Sequence, residues 1–265
     1  MLKYFLILLI SISSLFAQSL STRYDVDVSL FGNVGYADIT LKEDDKNYEI
    51  KLVATTVGVA ATLLQNRVET FTSKGKIIGG RYIPDIFIKT KETIKKTRVQ
   101  TYYFDHEKKE IKLIEEKTKL VNEMNFDPAT FKVTSKEVEK KSKKETTLDK
   151  YKENDVLSSY LNTKNNCNAK QKTYKLFAVG AHNDKNDVLV SYLEDLERES
   201  AVANFSEGIA NIYNLHVAPL DKDESVVDVL VAFDNDGFLK EALLGEIFWV
   251  GKITAKRVYH KVACN

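Results

Sequence analysis

Apolar and polar residues alternate along most of the chain from Arg23 onward. In the first such segment the apolar side chains fall on one face of an extended strand: Tyr24, Val26, Val28 and Leu30. Similar segments recur to the C-terminus and are separated by short turns rich in Gly, Asn and Asp, such as Asp236-Gly237. Alternation with a period of two residues predicts half-buried strands, and tight turns between them predict antiparallel pairing rather than βαβ units. We therefore expect a mainly β fold: a curved antiparallel sheet or an open β-barrel-like meander with one or two short helices.

The alternation stops in the segment VATTVGVAATLLQNRVET, residues 53–70. Helical spacing gives this segment one apolar stripe at i, i+3, i+4 and i+7: Val57, Ala60, Ala61 and Leu64. A strand would instead present only small residues on one face, so the helix is the better match. Because so short a helix is stable only when packed, we expect it to lie across the sheet or to close one end of it.

A second helix is predicted by the segment NDVLSSYLN, residues 154–162. Its apolar side chains share one helical face: Val156, Leu157, Tyr160 and Leu161. Either Asn154 or Asp155 can cap the first turn.

The stretch before this helix, near residues 135–153, is dominated by Lys and Glu. It fits either a solvated hairpin tip or a linker. The hairpin is favoured because the preceding FKVT still alternates and no Pro/Gly/Ser spacer is present. Residues 18–265 are then expected to form a single β-rich domain that carries this charged insertion.

Residues 1–17 have the layout of a secretory signal peptide, with Lys3, an apolar core and a small-residue exit at Ala17. The apolar run is too short to span a bilayer, and no longer run follows it. We expect cleavage after Ala17 and a periplasmic mature chain without a transmembrane segment. An uncleaved anchor is the alternative, whereas the absence of Cys at the exit gives no support for a lipoprotein.

The mature chain is expected to be electrically neutral. The full chain has 39 basic and 38 acidic residues, and loss of Lys3 leaves 38 of each. Nucleic-acid binding therefore lacks its main driving force, the release of counterions by excess positive charge. The basic runs KETIKKTR and KKSKKE are interleaved with acids or Thr, so the sequence does not predict a polybasic membrane patch.

No motif for catalysis or cofactor binding is found. The four histidines, His106, His182, His216 and His260, are isolated, and neither a nucleophile elbow nor a phosphate loop is present. The segment FDNDGFLKE resembles the start of a calcium loop but has Phe238 at an acidic position, so a hairpin turn is the better interpretation. We predict no catalytic residue, no metal site and no cofactor, and hence a protein that is not an enzyme.

Cys167 and Cys264 are the two cysteines of the chain, and export would expose them to an oxidising compartment. A disulfide between them would close a loop of about a hundred residues, worth roughly 4–5 kcal/mol in the chain-entropy model. We predict this bond, with two separate thiols as the alternative.

The segment ATTVGVAATLLQNRVETFTSKGKIIGGRYIPDIF, with Gly58, Arg67 and Pro84, resembles the exported proteins grouped as domain of unknown function 3108. The later segments NDVLSSYLN and LGEIFWVGKITAKRV are similar to the Asp-capped helix and last strands of that family. The resemblance implies an exported β-rich protein of a Gram-negative cell. It implies no activity or catalytic residue, and the charged stretch before Asp155 departs from the family pattern.

These observations lead to two functional hypotheses. The first is a periplasmic binding or carrier protein for an apolar or lipid-like ligand, with Val57, Ala60, Ala61 and Leu64 as the candidate ligand-binding patch. The alternative is a structural or protein-interaction module of the cell envelope. An enzyme ranks third, because no catalytic motif is present.

Overall fold

The computed structural model describes residues 18–168, 173–180, 187–217, 227–247 and 251–264. Within these ranges the chain forms one large antiparallel sheet and three short helices, which confirms the mainly β fold. The predicted signal peptide, residues 1–17, lies outside the described residues. No helix in the described part of the chain is long and apolar enough to cross a membrane.

The first half of the chain is a meander of strands. Its elements are β1 Gln18–Val28, β2 Gly32–Glu43, β3 Asn47–Thr56, α1 Gly58–Leu63, β4 Val68–Ile78, β5 Arg81–Thr93, β6 Lys96–Asp105, β7 Glu110–Asp127 and β8 Lys132–Thr147.

The second half returns towards the first strand. Its elements are β9 Asn154–Asp155, α2 Val156–Asn168, β10 Thr173–Val179, β11 Asp187–Tyr192, α3 Asp195–Val202, β12 Asn211–Val217, β13 Val227–Phe233, β14 Leu239–Ile247 and β15 Gly251–Cys264.

The two halves join where β1 pairs with β15 near the middle of the sheet. The strand order is β8-β7-β6-β5-β4-β3-β2-β1-β15-β14-β13-β12-β11-β10-β9, so the edges are β8 and the two-residue strand β9. Neighbouring strands are antiparallel except for β9 and β10, which are parallel. The sheet is therefore open rather than closed into a barrel.

The sheet is strongly curled, which brings distant strands into contact. In the strand order β5 and β10 are ten places apart, which in a flat sheet would separate them by about 48 Å. Yet a Cβ added at Gly180, directly after β10, would lie 2.2 Å from Cε1 of Phe87 in β5. Lys89 Nζ also donates a hydrogen bond of 3.1 Å to the carbonyl oxygen of Gly180. The curl gives the sheet a concave face.

Helix α2 occupies part of that concave face. It contacts β3, β4 and β5 on one side and β9 and β10 on the other. The buried side chains of Leu157 and Leu161 pack there with Ile50, Phe87 and Val179. This region is a packed core rather than a hollow. The packing of Leu157 and Leu161 confirms the predicted helix and its apolar face.

Asp155, the last residue of β9, directly precedes α2 and is fully buried. Its Oδ1 accepts hydrogen bonds from the backbone N–H of Leu157 (2.7 Å) and Ser158 (3.0 Å), which confirms the predicted cap. Its Oδ2 accepts a 2.6 Å hydrogen bond from Ser73 in β4. Burial raises the pKa of Asp155, and the hydrogen bonds that oppose this effect do not cancel it. The cap thus joins the helix to the sheet.

Several local expectations are corrected. Strand β1 ends at Val28, and Leu30 lies in the following turn, 67% exposed. The charged stretch belongs to a hairpin, as favoured over a linker, but it is not the tip, because residues 132–147 form the edge strand β8 and the turn precedes it. Helix α3 was not predicted, since Ala201 is its one buried residue and its apolar pattern is correspondingly weak.

Candidate functional site

A row of buried side chains identifies the concave face of β1 to β7. In antiparallel pairing, residues directly opposite each other share a face. The row runs through consecutive strands and ends at half-buried Leu113: Leu20, Leu41, Ile50, Ser73, Phe87, Tyr102 and Leu113. Residues two, four or six positions from these along each strand lie on the same face.

Helix α1 lies at one end of these strands. Between that end and the buried row, basic side chains dominate the concave face. We call the following set the basic face: Lys89, Lys91, Lys96, Arg98, Lys117, Lys119, Lys140 and Lys144 in β5–β8, together with Arg67, which directly precedes β4 and pairs with Glu69. The acidic residues in the same rows are Glu69 and Glu115. Positive charge therefore exceeds negative charge on this part of the concave surface.

The basic face includes like charges at directly opposite positions. Lys91 pairs with Arg98, and Arg98 pairs with Lys117. One row further out, Lys119 lies between Lys96 and Lys140. Like charges opposite each other in a sheet are destabilising. The arrangement has a cost for folding, and an anion placed among these groups would remove it.

Three carboxylates neutralise part of this charge, and one of them is Glu123, which lies 3.0 Å from Lys140. Glu69 forms ion pairs with Arg67 and, at 3.8 Å, with Lys91. Glu115 accepts a 2.6 Å hydrogen bond from Arg98 Nε and also pairs with Lys117. Within the described ranges, no carboxylate lies at ion-pair distance from three lysines of the basic face: Lys96, Lys119 and Lys144.

The pKa shifts have the direction that a positive potential predicts. Burial lowers the pKa of Lys91, and the nearby charges of Arg67, Lys96 and Arg98 lower it further. Burial acts to raise the pKa of Glu115, but the hydrogen bonds and charges of its basic partners outweigh this effect and lower it. Both directions agree with an excess of positive charge on this part of the concave surface.

Small and apolar residues continue the same rows onto β1, β2 and β3. Ala37 and Ala54 lie in the row of Lys91, and Val26 and Gly35 lie in the row that leads towards Lys96. The side chains of Val26, Ala37 and Ala54 are half-buried. The concave surface is thus amphipathic, with an apolar strip on β1–β3 and the basic face mainly on β5–β8.

The predicted apolar patch lies at the adjoining end of the sheet. The four residues, Val57, Ala60, Ala61 and Leu64, belong to α1 and its two flanking positions, as the helical spacing predicted. The first three are half-buried and Leu64 is 42% exposed, so α1 caps an end of the sheet and does not cross its interior. Helix α1 contains no buried residue.

The other residues singled out from the sequence do not assemble into a site. His106 donates from Nε2 to the Pro84 carbonyl (2.7 Å) and accepts from the Tyr151 hydroxyl at Nδ1 (2.5 Å). Among the described residues, no group of three potential metal ligands occurs. His182 and the side chains of Cys167 and Cys264 lie outside the described part of the structure, so the disulfide stays a prediction.

A shallow groove of about 490 Å³ lies at the opposite end of the strands. Its walls mix both charges, with Lys42 and Lys74 beside Glu49 and Asp85. Lys74 and Glu49 already form a 2.8 Å ion pair. This groove lacks the one-signed charge of the basic face and is a weaker candidate.

The sequence contains a signal for the basic face that was missed. A basic-Thr-basic triplet occurs in each of β5, β6 and β7, at residues 89–91, 96–98 and 117–119. In a strand, the two outer residues of such a triplet share one face and the Thr lies on the other. The interleaving that argued against a basic patch is the pattern that builds one.

The fold and site define an open, curled β-sheet protein with an amphipathic concave surface. No protein-family model matches the chain, and no curated protein matches it significantly. The resemblance to domain of unknown function 3108 is therefore not confirmed. A similar solved structure is a β-barrel-like protein of domain of unknown function 1849 from Brucella abortus, with 12% identity, a TM-score of 0.47, and coverage of 94% of this chain and 98% of that chain. The fold class rests on the strand pairing of this chain itself.

Proposed function

We propose that the protein is an exported, periplasmic, non-enzymatic binding protein whose concave surface holds an anionic, lipid-like ligand. The observation that carries this proposal is the basic face, where lysines and arginines lie opposite one another at a cost to stability. Such a cost is expected where a surface is kept for binding rather than for folding.

An amphiphile matches both parts of the concave surface. Its phosphate or carboxylate group would lie among Lys91, Arg98, Lys117 and Lys119, where several donors can reach one anion. Its hydrocarbon chain would lie along the neighbouring apolar strip on β1–β3. A ligand with an anionic head but no apolar part would use the first contact alone and bind more weakly.

The proposal is tested with dihexanoyl phosphatidic acid, a short-chain probe used below its micelle concentration. Lys140→Gln/Lys144→Gln removes two charges from the basic face, and Lys141→Gln/Lys143→Gln removes two from the opposite face of the same strand. At about 1 kcal/mol per lysine near an anion, the first pair should weaken binding by roughly thirtyfold, measured by titration calorimetry. The second pair should have little effect.

Equal losses in the two variants would contradict the proposal, because they would show that net charge rather than the basic face matters. Absence of binding by the wild-type protein would also contradict it. In that case the alternative, a protein-interaction module of the envelope, gains support from the exposed apolar side chains near α1.

Export is tested by the mass of the protein recovered from the periplasmic fraction. Cleavage after Ala17 predicts a chain that begins at Gln18. A mass that retains residues 1–17, or recovery in the cytoplasm, would contradict this part of the proposal.

A further inference from the structure

Exposed apolar side chains cluster in the connections at one end of the first six strands, whereas at the other end only Ile78 and Tyr103, within β4 and β6, are exposed among the described residues. We call the following set the apolar rim: Leu30, Phe31, Val59, Leu63, Leu64 and Ile94. They belong to three connections at the α1 end, namely β1–β2, β3–β4 and β5–β6. The turns at the opposite end of these strands, residues 44–46, 79–80 and 106–109, contain only Gly, His and charged residues. Exposed apolar residues are therefore a feature of the connections at the α1 end and not of the turns of this sheet in general.

The three connections of the apolar rim are tied together by backbone hydrogen bonds. Val57 N–H donates to Val34 O in β2 (2.9 Å), which fixes α1 beside the β1–β2 hairpin. Ile94 N–H donates to Gln65 O (3.1 Å), which fixes the β5–β6 turn beside α1. The exposed side chains therefore belong to one continuous surface.

Basic residues border this surface. Lys95 and Lys96 follow Ile94 directly, and Arg67 follows α1. Lys252 O accepts a 3.0 Å hydrogen bond from Ser29 N–H, which places the Lys252 backbone beside the β1–β2 turn. Apolar groups bordered by Lys and Arg are complementary to a bilayer that has an anionic surface and an apolar interior.

We infer that the apolar rim docks the protein on an anionic lipid bilayer. The inference rests on the proposed function, because the basic face opens at the same end of the strands and a lipid leaving the bilayer would enter it there. The rim side chains would enter the interfacial region while Arg67, Lys95 and Lys96 contact lipid head groups.

Two pairs of apolar side chains with similar exposure, one at α1 and one in α3, provide a matched test. Leu63→Ser/Leu64→Ser removes rim side chains that are 74% and 42% exposed, and Leu196→Ser/Val202→Ser removes side chains of α3 that are 79% and 40% exposed. The protein is recovered after export so that all variants share one N-terminus, and it is sedimented with vesicles of phosphatidylcholine and phosphatidylglycerol. The rim variant should partition about tenfold or more weakly, whereas the α3 variant should match wild type.

Insertion is measured separately from electrostatic attraction. Leu63→Trp, combined with Trp249→Phe to remove the single native tryptophan, should give blue-shifted emission that brominated acyl chains quench. Equal sedimentation of the rim and α3 variants would overturn the inference. So would unshifted, unquenched emission in the presence of vesicles, or wild-type binding to pure phosphatidylcholine that is as strong as binding to anionic vesicles.

The two proposals fail in different ways. If only the docking inference is wrong, Leu63→Ser/Leu64→Ser sediments like wild type, while dihexanoyl phosphatidic acid still binds and Lys140→Gln/Lys144→Gln still weakens it. If only the proposed ligand site is wrong, the soluble probe does not bind, while the rim variant still loses vesicle association.

Discussion

Replacing Lys119 by Glu should stabilise the fold and at the same time abolish ligand binding. Lys119 in β7 lies directly opposite Lys96 on one side and Lys140 on the other. The substitution turns two like-charged cross-strand pairs into two opposite-charged pairs. Cross-strand charge pairs are worth roughly 0.2–1 kcal/mol each, and exposed pairs fall in the lower part of that range. The expected gain in the free energy of unfolding is therefore about 1 kcal/mol at low salt.

Urea unfolding at two ionic strengths measures this gain. The Debye length falls from about 30 Å at 0.01 M salt to about 3 Å at 1 M, so the stabilisation should be present in the first condition and largely lost in the second. Lys112→Glu is the matched control, because Lys112 lies 2.5 Å from Glu145 and the same charge change creates a repulsion there. It should destabilise the protein at low salt.

A Lys119→Glu variant that is less stable than wild type at low salt, or whose change in stability is independent of salt, would refute this prediction. It would also be refuted if the variant bound dihexanoyl phosphatidic acid as tightly as wild type. Stabilisation together with loss of binding would instead show that this surface trades folding stability for a ligand.

Three other substitutions or assays test the remaining features. Asp155→Asn should remove a pH dependence of the free energy of unfolding. Because burial raises the pKa of Asp155 in the folded state, wild type should lose stability relative to the variant as the pH rises from 3.8 through that raised value. An equal change of stability with pH in the two proteins would contradict this. Gly180→Ala should cost about 1–3 kcal/mol by overlap with an aromatic ring of β5, more than Gly79→Ala, which has a similarly positive φ but meets open space. Peptide mapping without reductant should show Cys167 bonded to Cys264, and two alkylatable thiols would exclude it.

Much of the sheet was predictable because period-two alternation reports a strand with one buried face. The row from Leu20 to Tyr102 is of this kind, and the tight turns between its strands implied antiparallel pairing. A curved sheet was expected, but the extent of its curl was not predictable, because it depends on a contact between Phe87 and Gly180, which are far apart in sequence. Strand β8 was not predictable either, because its exposed, charged residues show no alternation of apolar and polar positions.

The candidate site was missed because charge was judged along the chain rather than across the strands. In β7 the acidic Glu116 lies next to Lys117, which suggests neutralisation when the sequence is read linearly. Pairing with β6 and β8 puts Lys117 on the concave face and Glu116 on the other, where Glu116 forms a 3.1 Å ion pair with Lys143. A neutral chain can therefore carry a strongly basic surface, provided that its acids occupy the alternate positions. Basic-Thr-basic triplets in successive predicted strands are the pattern to look for, because register then decides whether their charges meet.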